Sequence, residues 1–178
     1  IKGKHNAVNA LAALALGAAA GFDFASMLAT LKTYKGLAHR CEFIKSINGV
    51  NYINDSKATN VGATLAAIEG FAADKNIVLI AGGDGKGADF MPLKNAMQKH
   101  VRCVVLIGRD ADKIQAVAND VTDHQYADTL LDAVHTAHAR AKEGDVVLLS
   151  PACASFDMFS GFEDRGEQFA ACVERLSA

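Results

Sequence analysis

The feature that most constrains the fold is a set of short, uninterrupted apolar runs that alternate with helical patterns. Three of these runs occupy residues 76–81, 103–107 and 145–149. A strand is continuously apolar when both faces of its sheet are covered, as in parallel sheets flanked by helices. Strands that alternate with helices along the chain are typical of the α/β class. We therefore predict a mostly parallel sheet with helices on both faces.

A hairpin is expected to extend this sheet at one edge. Residues 41–47 and 50–54 have strand character, and the Asn48-Gly49 pair between them favours a tight turn. A further short strand is predicted at 124–126. Helices are predicted at about 60–71, 91–99, 111–119, 129–142 and 164–176. The whole pattern predicts a Rossmann-like sheet with an antiparallel edge hairpin.

The N-terminal segment differs from the rest of the chain. Ala and Leu dominate residues 5–20, and both are strong helix formers. A second helix is predicted over 24–33, with Asp23 as its N-cap. We expect a domain boundary near Gly36, which separates a helical segment (1–36) from the sheet domain (37–178).

Composition and charge exclude several classes of function. The net charge of −2 offers no electrostatic footprint for nucleic acid. The Ala- and Leu-rich stretch 9–24 is too weakly apolar, and too interrupted by glycine, to predict a membrane span. The four cysteines contain no CxxC pair. We therefore expect reduced, buried structural thiols in a reducing compartment rather than disulfides or zinc ligands.

The most polar loop follows the second strand of the hairpin and precedes a helix. It reads Asn-Asp-Ser-Lys-Ala-Thr-Asn over residues 54–60. A helix start there offers free N–H groups and a positive dipole end, and Lys57 adds a charge, so the loop suits an anion. The same Asp, Ser, Thr and Asn residues are also good helix N-caps. The loop alone does not decide between binding and capping.

Other polar loops follow the buried strands and should meet this one at the carboxyl edge of the sheet. Lys57, Lys86 and Ser155 are expected to share a crevice there, together with Arg40 if the hairpin docks beside the sheet. The glycine-rich loop 82–87 lacks the spacing of a Walker A motif. Its glycines either let backbone approach a ligand or form a flexible turn.

Several other polar residues are weaker candidates. Asp84 and Asp157 are possible acids, and Cys153 is more easily read as a buried thiol than as a nucleophile. Asn6 and Asn9 share one face of the first helix. Two amides on one face offer donors and acceptors to a heterocycle, although the spacing alone favours a simple polar helix start.

Taken in order, these motifs resemble a known family. His5-Asn6-Ala7-Val8-Asn9 is similar to the HNxxN motif of the Mur ligases, the ATP-dependent amide-forming enzymes of peptidoglycan synthesis. Four further motifs of their C-terminal part resemble residues 39–40, 54–60, 82–86 and 150–156. Within the family, the loop at 54–60 looks like that of the branch that adds D-glutamate to UDP-N-acetylmuramoyl-L-alanine.

The resemblance implies a role for each matching residue. Asn6 and Asn9 would contact the adenine of ATP, Arg40 a phosphate, and Asp55 the ribose hydroxyls. Lys57 would lie near phosphate or an acyl-phosphate, and Lys57 and Lys86 would serve catalysis. D-glutamate would be held by side chains or backbone of Thr59, Lys86, Ser155, Phe156 and Phe162.

The resemblance also implies what would lie elsewhere. A Walker A loop, the Mg²⁺ ligands and a UDP-binding domain would precede Ile1, so no metal ligand is assigned to this chain. Residues 1–36 would be the last helices of the central ATPase domain. Without their parent sheet, the helices at 5–33 would be displaced, disordered or packed on a neighbour. The whole enzyme would be cytoplasmic, and the 178-residue chain alone inactive. The alternative is a Rossmann-like module that binds a nucleotide or a dicarboxylate without catalysis.

Overall fold

A computed structural model describes residues 4–177 of the chain, with side chains from residue 6 onward. Two helices open the described chain, and a six-stranded sheet with five further helices follows. The strands are β1 (Glu42–Ile47), β2 (Val50–Asn54), β3 (Ile77–Gly82), β4 (Val101–Ile107), β5 (Asp123–Tyr126) and β6 (Val146–Leu149). The helices are α1 (Lys4–Ala19), α2 (Phe24–Thr33), α3 (Val61–Phe71), α4 (Lys94–His100), α5 (Ala111–Ala118), α6 (Leu130–Arg140) and α7 (Phe162–Arg175).

The strands lie in the order β1-β2-β6-β3-β4-β5. All neighbouring strands are parallel except β1 and β2, which form the antiparallel hairpin. The predicted Rossmann-like sheet with an antiparallel edge hairpin is therefore confirmed. Strand β1 begins at Glu42, one residue later than predicted, because Cys41 has a φ of +48°, which is outside the extended region.

The core has two layers, one on each face of the sheet. Alternate residues of β3 point into different layers: Ile77 and Leu79 into one, Val78 and Ile80 into the other. Helices α3, α4 and α5 cover the first face, and α6 and α7 cover the second. Both faces of the central strands are therefore dry, which explains why their sequence is apolar without alternation.

The two N-terminal helices form as predicted. Asp23 caps α2 by accepting a hydrogen bond from the Ser26 N–H at 2.7 Å. Helix α1 contacts α2 and α3. Large apolar side chains of α1 and α2 remain exposed, including Val8, Leu11, Leu16, Phe24 and Leu28. No helix in the described part of the chain is long and apolar enough to cross a membrane.

Glycines at the end of β3 let neighbouring loops approach closely. Gly82 has a φ of +131°, and a Cβ there would lie 1.8 Å from the Ile107 carbonyl oxygen. Gly83 has a φ of +122°, and its Cβ would lie 2.3 Å from the Ala154 carbonyl oxygen. The sequence offers the approach of a ligand as one role for these glycines. The structure shows that they make room for the backbone at the end of β4 and in the loop after β6.

The close packing at Gly82 predicts a large loss of stability on substitution. Gly82→Ala is expected to lower the free energy of unfolding by more than about 3 kcal/mol, because the added methyl group meets backbone that cannot rotate away. Urea denaturation followed by circular dichroism measures the loss.

Gly144→Ala is the matched control. Gly144 also has a positive φ, +89°, but nothing lies within 4 Å of its Cβ position. This substitution is expected to cost only about 1–2 kcal/mol, from backbone strain alone. Equal losses for the two variants would contradict the role assigned to the contact with the Ile107 carbonyl.

Candidate functional site

Three loops that follow neighbouring parallel strands form the candidate site. Strand β6 lies between β2 and β3, and all three end at the same edge of the sheet. The loops after β2 and β3 lead to helices on one face, whereas the loop after β6 leads to α7 on the other. Loops that part in this way open the crevices in which α/β folds bind ligands. Lys57, Ser155 and Lys86 lie on these three loops. Lys57 lines the cavity described below, whereas Ser155 and Lys86 do not, so their predicted shared crevice stays a prediction.

The polar residues at 54–60 divide between structure and binding. Asn54 is fully buried, and its amide donates to the Gly166 carbonyl at 3.1 Å. Asn60 caps α3 by accepting from the Ala63 N–H at 2.9 Å. The side chain of Lys57 is only half-buried, as is that of Thr59. The same loop therefore contains a helix cap, Asn60, and two side chains that a ligand can reach, Lys57 and Thr59.

The prediction that the polar groups of this loop bind an anion is wrong for Ser56. Its side chain is fully buried, and its hydroxyl donates to the Phe162 carbonyl at 2.8 Å. The same oxygen accepts from Arg165 Nε at 2.9 Å. Arg165 also donates to the carbonyls of Ser56 and Cys153. This fully buried guanidinium joins the loop after β2 to the loop after β6, a link that the sequence did not reveal.

The residues predicted to bind a nucleotide line one cavity of about 200 Å³. Its polar lining comes from the start of α1, the turn before β1 and the loop after β2. The polar lining residues are Asn6, Asn9, Arg40, Asp55 and Lys57. Two cations, one carboxylate and two amides therefore border one small space. That set provides donors for phosphate and both donors and acceptors for a base or a sugar.

Asp55 lies at the back of this cavity and is almost fully buried. One carboxylate oxygen accepts from the Cys41 N–H at 3.1 Å, and the other from the Ser150 hydroxyl at 2.8 Å. Burial raises the pKa of Asp55 from 3.8 to about 6, although these hydrogen bonds and Arg40 oppose the shift.

Lys57 is held by its backbone and by an aromatic ring. Its N–H donates to the His39 carbonyl at 3.0 Å, and its Nζ lies 3.7 Å from the centre of the Phe162 ring. The His39 ring meets the Phe162 ring edge-on at 6.1 Å. Gly166 permits this arrangement, since a Cβ there would lie 2.3 Å from His39 Nδ1.

The residues predicted to hold D-glutamate lie around the same edge. Ser155 is buried at 2% exposure, whereas the Phe156 side chain is 76% exposed. Lys86 is exposed and has a φ of +51°, and its N–H donates to Asp84 Oδ1 at 2.9 Å. The adjacent loops also pair through their backbones, with Asp84 and Ala154 exchanging two hydrogen bonds.

The weaker candidates have structural roles. Asp84 pairs with Arg109 at 3.2 Å, and Asp157 accepts from the Arg109 N–H at 2.9 Å. Burial raises the pKa of the Cys153 thiol to about 12, so it is not an activated nucleophile. The described cysteines are all unpaired, but Cys41 and Cys172 are only half-buried, contrary to our expectation. Over residues 6–177, no group of three or more His, Cys, Asp or Glu side chains is placed to hold a metal ion.

Comparison with known proteins identifies the family of the chain. The model of the family described as "Mur ligase, glutamate ligase domain" matches residues 39–153. The chain belongs to the Mur ligase family. The match includes Arg40, Asp55, Lys57 and Lys86.

The most similar relatives support a particular branch of the family. The UDP-N-acetylmuramoylalanine–D-glutamate ligase of Pseudomonas fluorescens is 58% identical over 99% of this chain, and that of Acinetobacter baylyi is 54% identical over the same share. The chain spans about 40% of the length of each of these relatives. The MurC ligase structure from Thermotoga maritima superposes with a TM-score of 0.70 at 19% identity, covering 98% of this chain and 39% of MurC. That likeness shows a shared fold.

The raised pKa of Asp55 predicts a pH dependence of stability. The folded chain binds the Asp55 proton more tightly than the unfolded chain, so this residue contributes stability that decreases as the pH rises from 3.8 to about 6. The difference corresponds to about 3 kcal/mol. Asp55→Asn removes this titration. We expect the stability of the variant relative to the native chain to rise over that pH range.

Urea denaturation at constant ionic strength measures this difference at several pH values between roughly 3.5 and 7. Subtracting the free energy of unfolding of the native chain from that of the variant removes the contribution of the carboxylates that both chains share. A difference that does not change with pH would show that Asp55 titrates normally in the folded chain.

Proposed function

We propose that this chain forms part of an ATP-dependent ligase that joins D-glutamate to UDP-N-acetylmuramoyl-L-alanine in the cytoplasm. The observation that carries the proposal is the single cavity lined by Asn6, Asn9, Arg40, Asp55 and Lys57. It occurs in a chain 58% identical to a UDP-N-acetylmuramoylalanine–D-glutamate ligase. In this proposal the chain supplies part of the ATP site and the D-glutamate site.

The cavity chemistry supports a nucleotide. Asn6 and Asn9 lie one turn apart on α1, where their amides can pair with the edge of adenine. Asp55 is a buried acceptor for ribose hydroxyls, and Arg40 provides donors for phosphate oxygens. A related Mur-type structure, the MurF ligase of Thermotoga maritima in complex with ADP, has the same fold with a TM-score of 0.64 at 18% identity, covering 97% of this chain and 39% of MurF.

The neighbouring loops support a small dicarboxylate. D-glutamate carries two carboxylates, which need cations and hydrogen-bond donors at two positions. Lys86 and Thr59 lie on the loops after β3 and β2, and Ser155 lies on the loop after β6 between them. In the proposed site these side chains, with the backbone of Phe156 and Phe162, hold the two ends of the amino acid.

The proposed reaction is amide formation through an acyl-phosphate. ATP transfers its γ-phosphoryl group to the carboxylate of the UDP-linked substrate, and the amine of D-glutamate then displaces phosphate. The contribution of this chain is to position the amine and to stabilise the negative charge with Lys57 and Lys86. Mg²⁺ would neutralise charge on the ATP phosphates, and its ligands are proposed to lie outside these 178 residues.

The gene product that contains this chain tests the proposal directly. It is expected to release phosphate from ATP only when UDP-N-acetylmuramoyl-L-alanine and D-glutamate are both present, and to incorporate labelled D-glutamate but not L-glutamate. The 178-residue chain by itself is expected to have no ligase activity. Binding of ADP or D-glutamate without incorporation, by the whole gene product, would favour the alternative of a non-catalytic binding module.

Lys86 is the sharpest single test of the D-glutamate site. Lys86→Ala is expected to raise KM for D-glutamate at least about tenfold, because a charge-assisted hydrogen bond to a carboxylate is lost. Steady-state kinetics of the whole gene product measure this change, with KM for ATP as the internal reference.

Lys99→Ala is the matched control, because Lys99 is also exposed but lies on α4, away from the carboxyl edge of the sheet. The Lys99→Ala enzyme should have the same KM for D-glutamate as the native enzyme. Equal KM values for D-glutamate in the Lys86→Ala and native enzymes would remove Lys86 from the proposed site.

A further inference from the structure

Lys57 is unusual among the described cations near the site, because an aromatic ring holds its ammonium group. Its Nζ lies over the face of Phe162, 3.7 Å from the ring centre. Arg109 and Lys113, on the loop after β4 and the first turn of α5, instead pair with Asp84 and Asp110. Among the ion pairs of the described side chains, none involves Lys57.

An aromatic ring positions a cation in a way that a carboxylate does not. The ring attracts the ammonium through its quadrupole but carries no net charge. The positive charge of Lys57 is therefore fixed in place without being neutralised. A flexible lysine side chain loses considerable rotamer freedom when it binds a ligand, so prior placement lowers that cost.

Phe162 is held through its backbone carbonyl and through one contact of its ring. The Phe162 carbonyl accepts from the Ser56 hydroxyl at 2.8 Å, and Ser56 is held by Arg165. The His39 ring contacts the Phe162 ring edge-on, and the His39 carbonyl accepts from the Lys57 N–H. The backbone of Lys57 and the ring beneath its ammonium are thus attached to the same residue, His39.

We propose that the Phe162 side chain is a positioning residue that holds the Lys57 ammonium, un-neutralised, toward the anionic ligand of the cavity. This inference rests on the proposed nucleotide site, since Lys57 lines the same cavity as Arg40 and Asp55. It gives the aromatic side chain of Phe162 a role distinct from that proposed for its backbone. The recognised chemistry is negative charge on a phosphate or acyl-phosphate.

Nuclear magnetic resonance of the 178-residue chain tests the placement of Lys57 without any ligand. Protons above the face of an aromatic ring shift upfield, so the methylene protons next to the Lys57 ammonium should do so in lysine-labelled protein. The Lys57→Gln variant identifies the resonance by its loss. The upfield shift should disappear in Phe162→Leu and remain in Phe162→Tyr, which keeps the ring.

Titration with ADP at low salt tests the consequence for binding. Phe162→Leu is expected to weaken ADP binding about two- to fivefold, and Phe162→Tyr to restore it. Phe43→Leu, which removes a half-exposed ring on β1, is the matched control and should bind ADP as the native chain does. In the Lys57→Gln background, Phe162→Leu should cause no further loss, because the ring acts through Lys57.

Two results would overturn the inference: an unshifted Lys57 resonance in the native chain, or an affinity loss from Phe162→Leu that persists without Lys57. Failure of the native chain to bind ADP would instead count against the proposed nucleotide site. The ring-current shift still decides the placement of Lys57 in that case, so the two failures are distinguishable.

Discussion

The buried guanidinium of Arg165 holds the candidate site together. It donates to the hydroxyl and carbonyl of Ser56 and to the carbonyl of Cys153, and so joins the loops that follow β2 and β6. Burial lowers its pKa to about 10, which leaves it protonated at neutral pH. A buried charge is costly unless its donors are satisfied. Because both loops bind the same guanidinium, Arg165 couples the positions of Lys57 and Ser155.

The loop at 54–60 shows how a short polar segment can serve structure and binding together. Asn54 and Ser56 point into the protein, Asn60 ends the loop as a helix cap, and Asp55 and Lys57 line the cavity. Past β2 the chain turns at Ser56 and Lys57, where the Ala58 N–H donates to the Asp55 carbonyl at 2.9 Å. Capping and lining of the cavity are therefore properties of individual residues in this loop, and neither describes the loop as a whole.

The sequence predicted the sheet well because its central strands are buried on both faces. Residues 77–81 and 146–149 are apolar without interruption, as is typical of a covered parallel strand. The cavity residues were predicted through the resemblance of their motifs, not through spacing. The Arg165 and Phe162 contacts were missed because both residues belong to an ordinary amphipathic helix. Their roles depend on tertiary neighbours more than 100 positions away, Ser56 and Lys57.

The position of β6 has a consequence for how the chain is made. The strand is the last to be synthesised, yet it lies in the middle of the sheet, between β2 and β3. Until it is inserted, β2 and β3 each present an unpaired apolar edge to other chains. Non-local pairing of this kind slows folding and exposes intermediates to aggregation. During translation, the candidate site at the carboxyl edge of the sheet cannot assemble before the ribosome has released the residues around 150. A chaperone that shields the edges of β2 and β3 would raise the yield of folded protein.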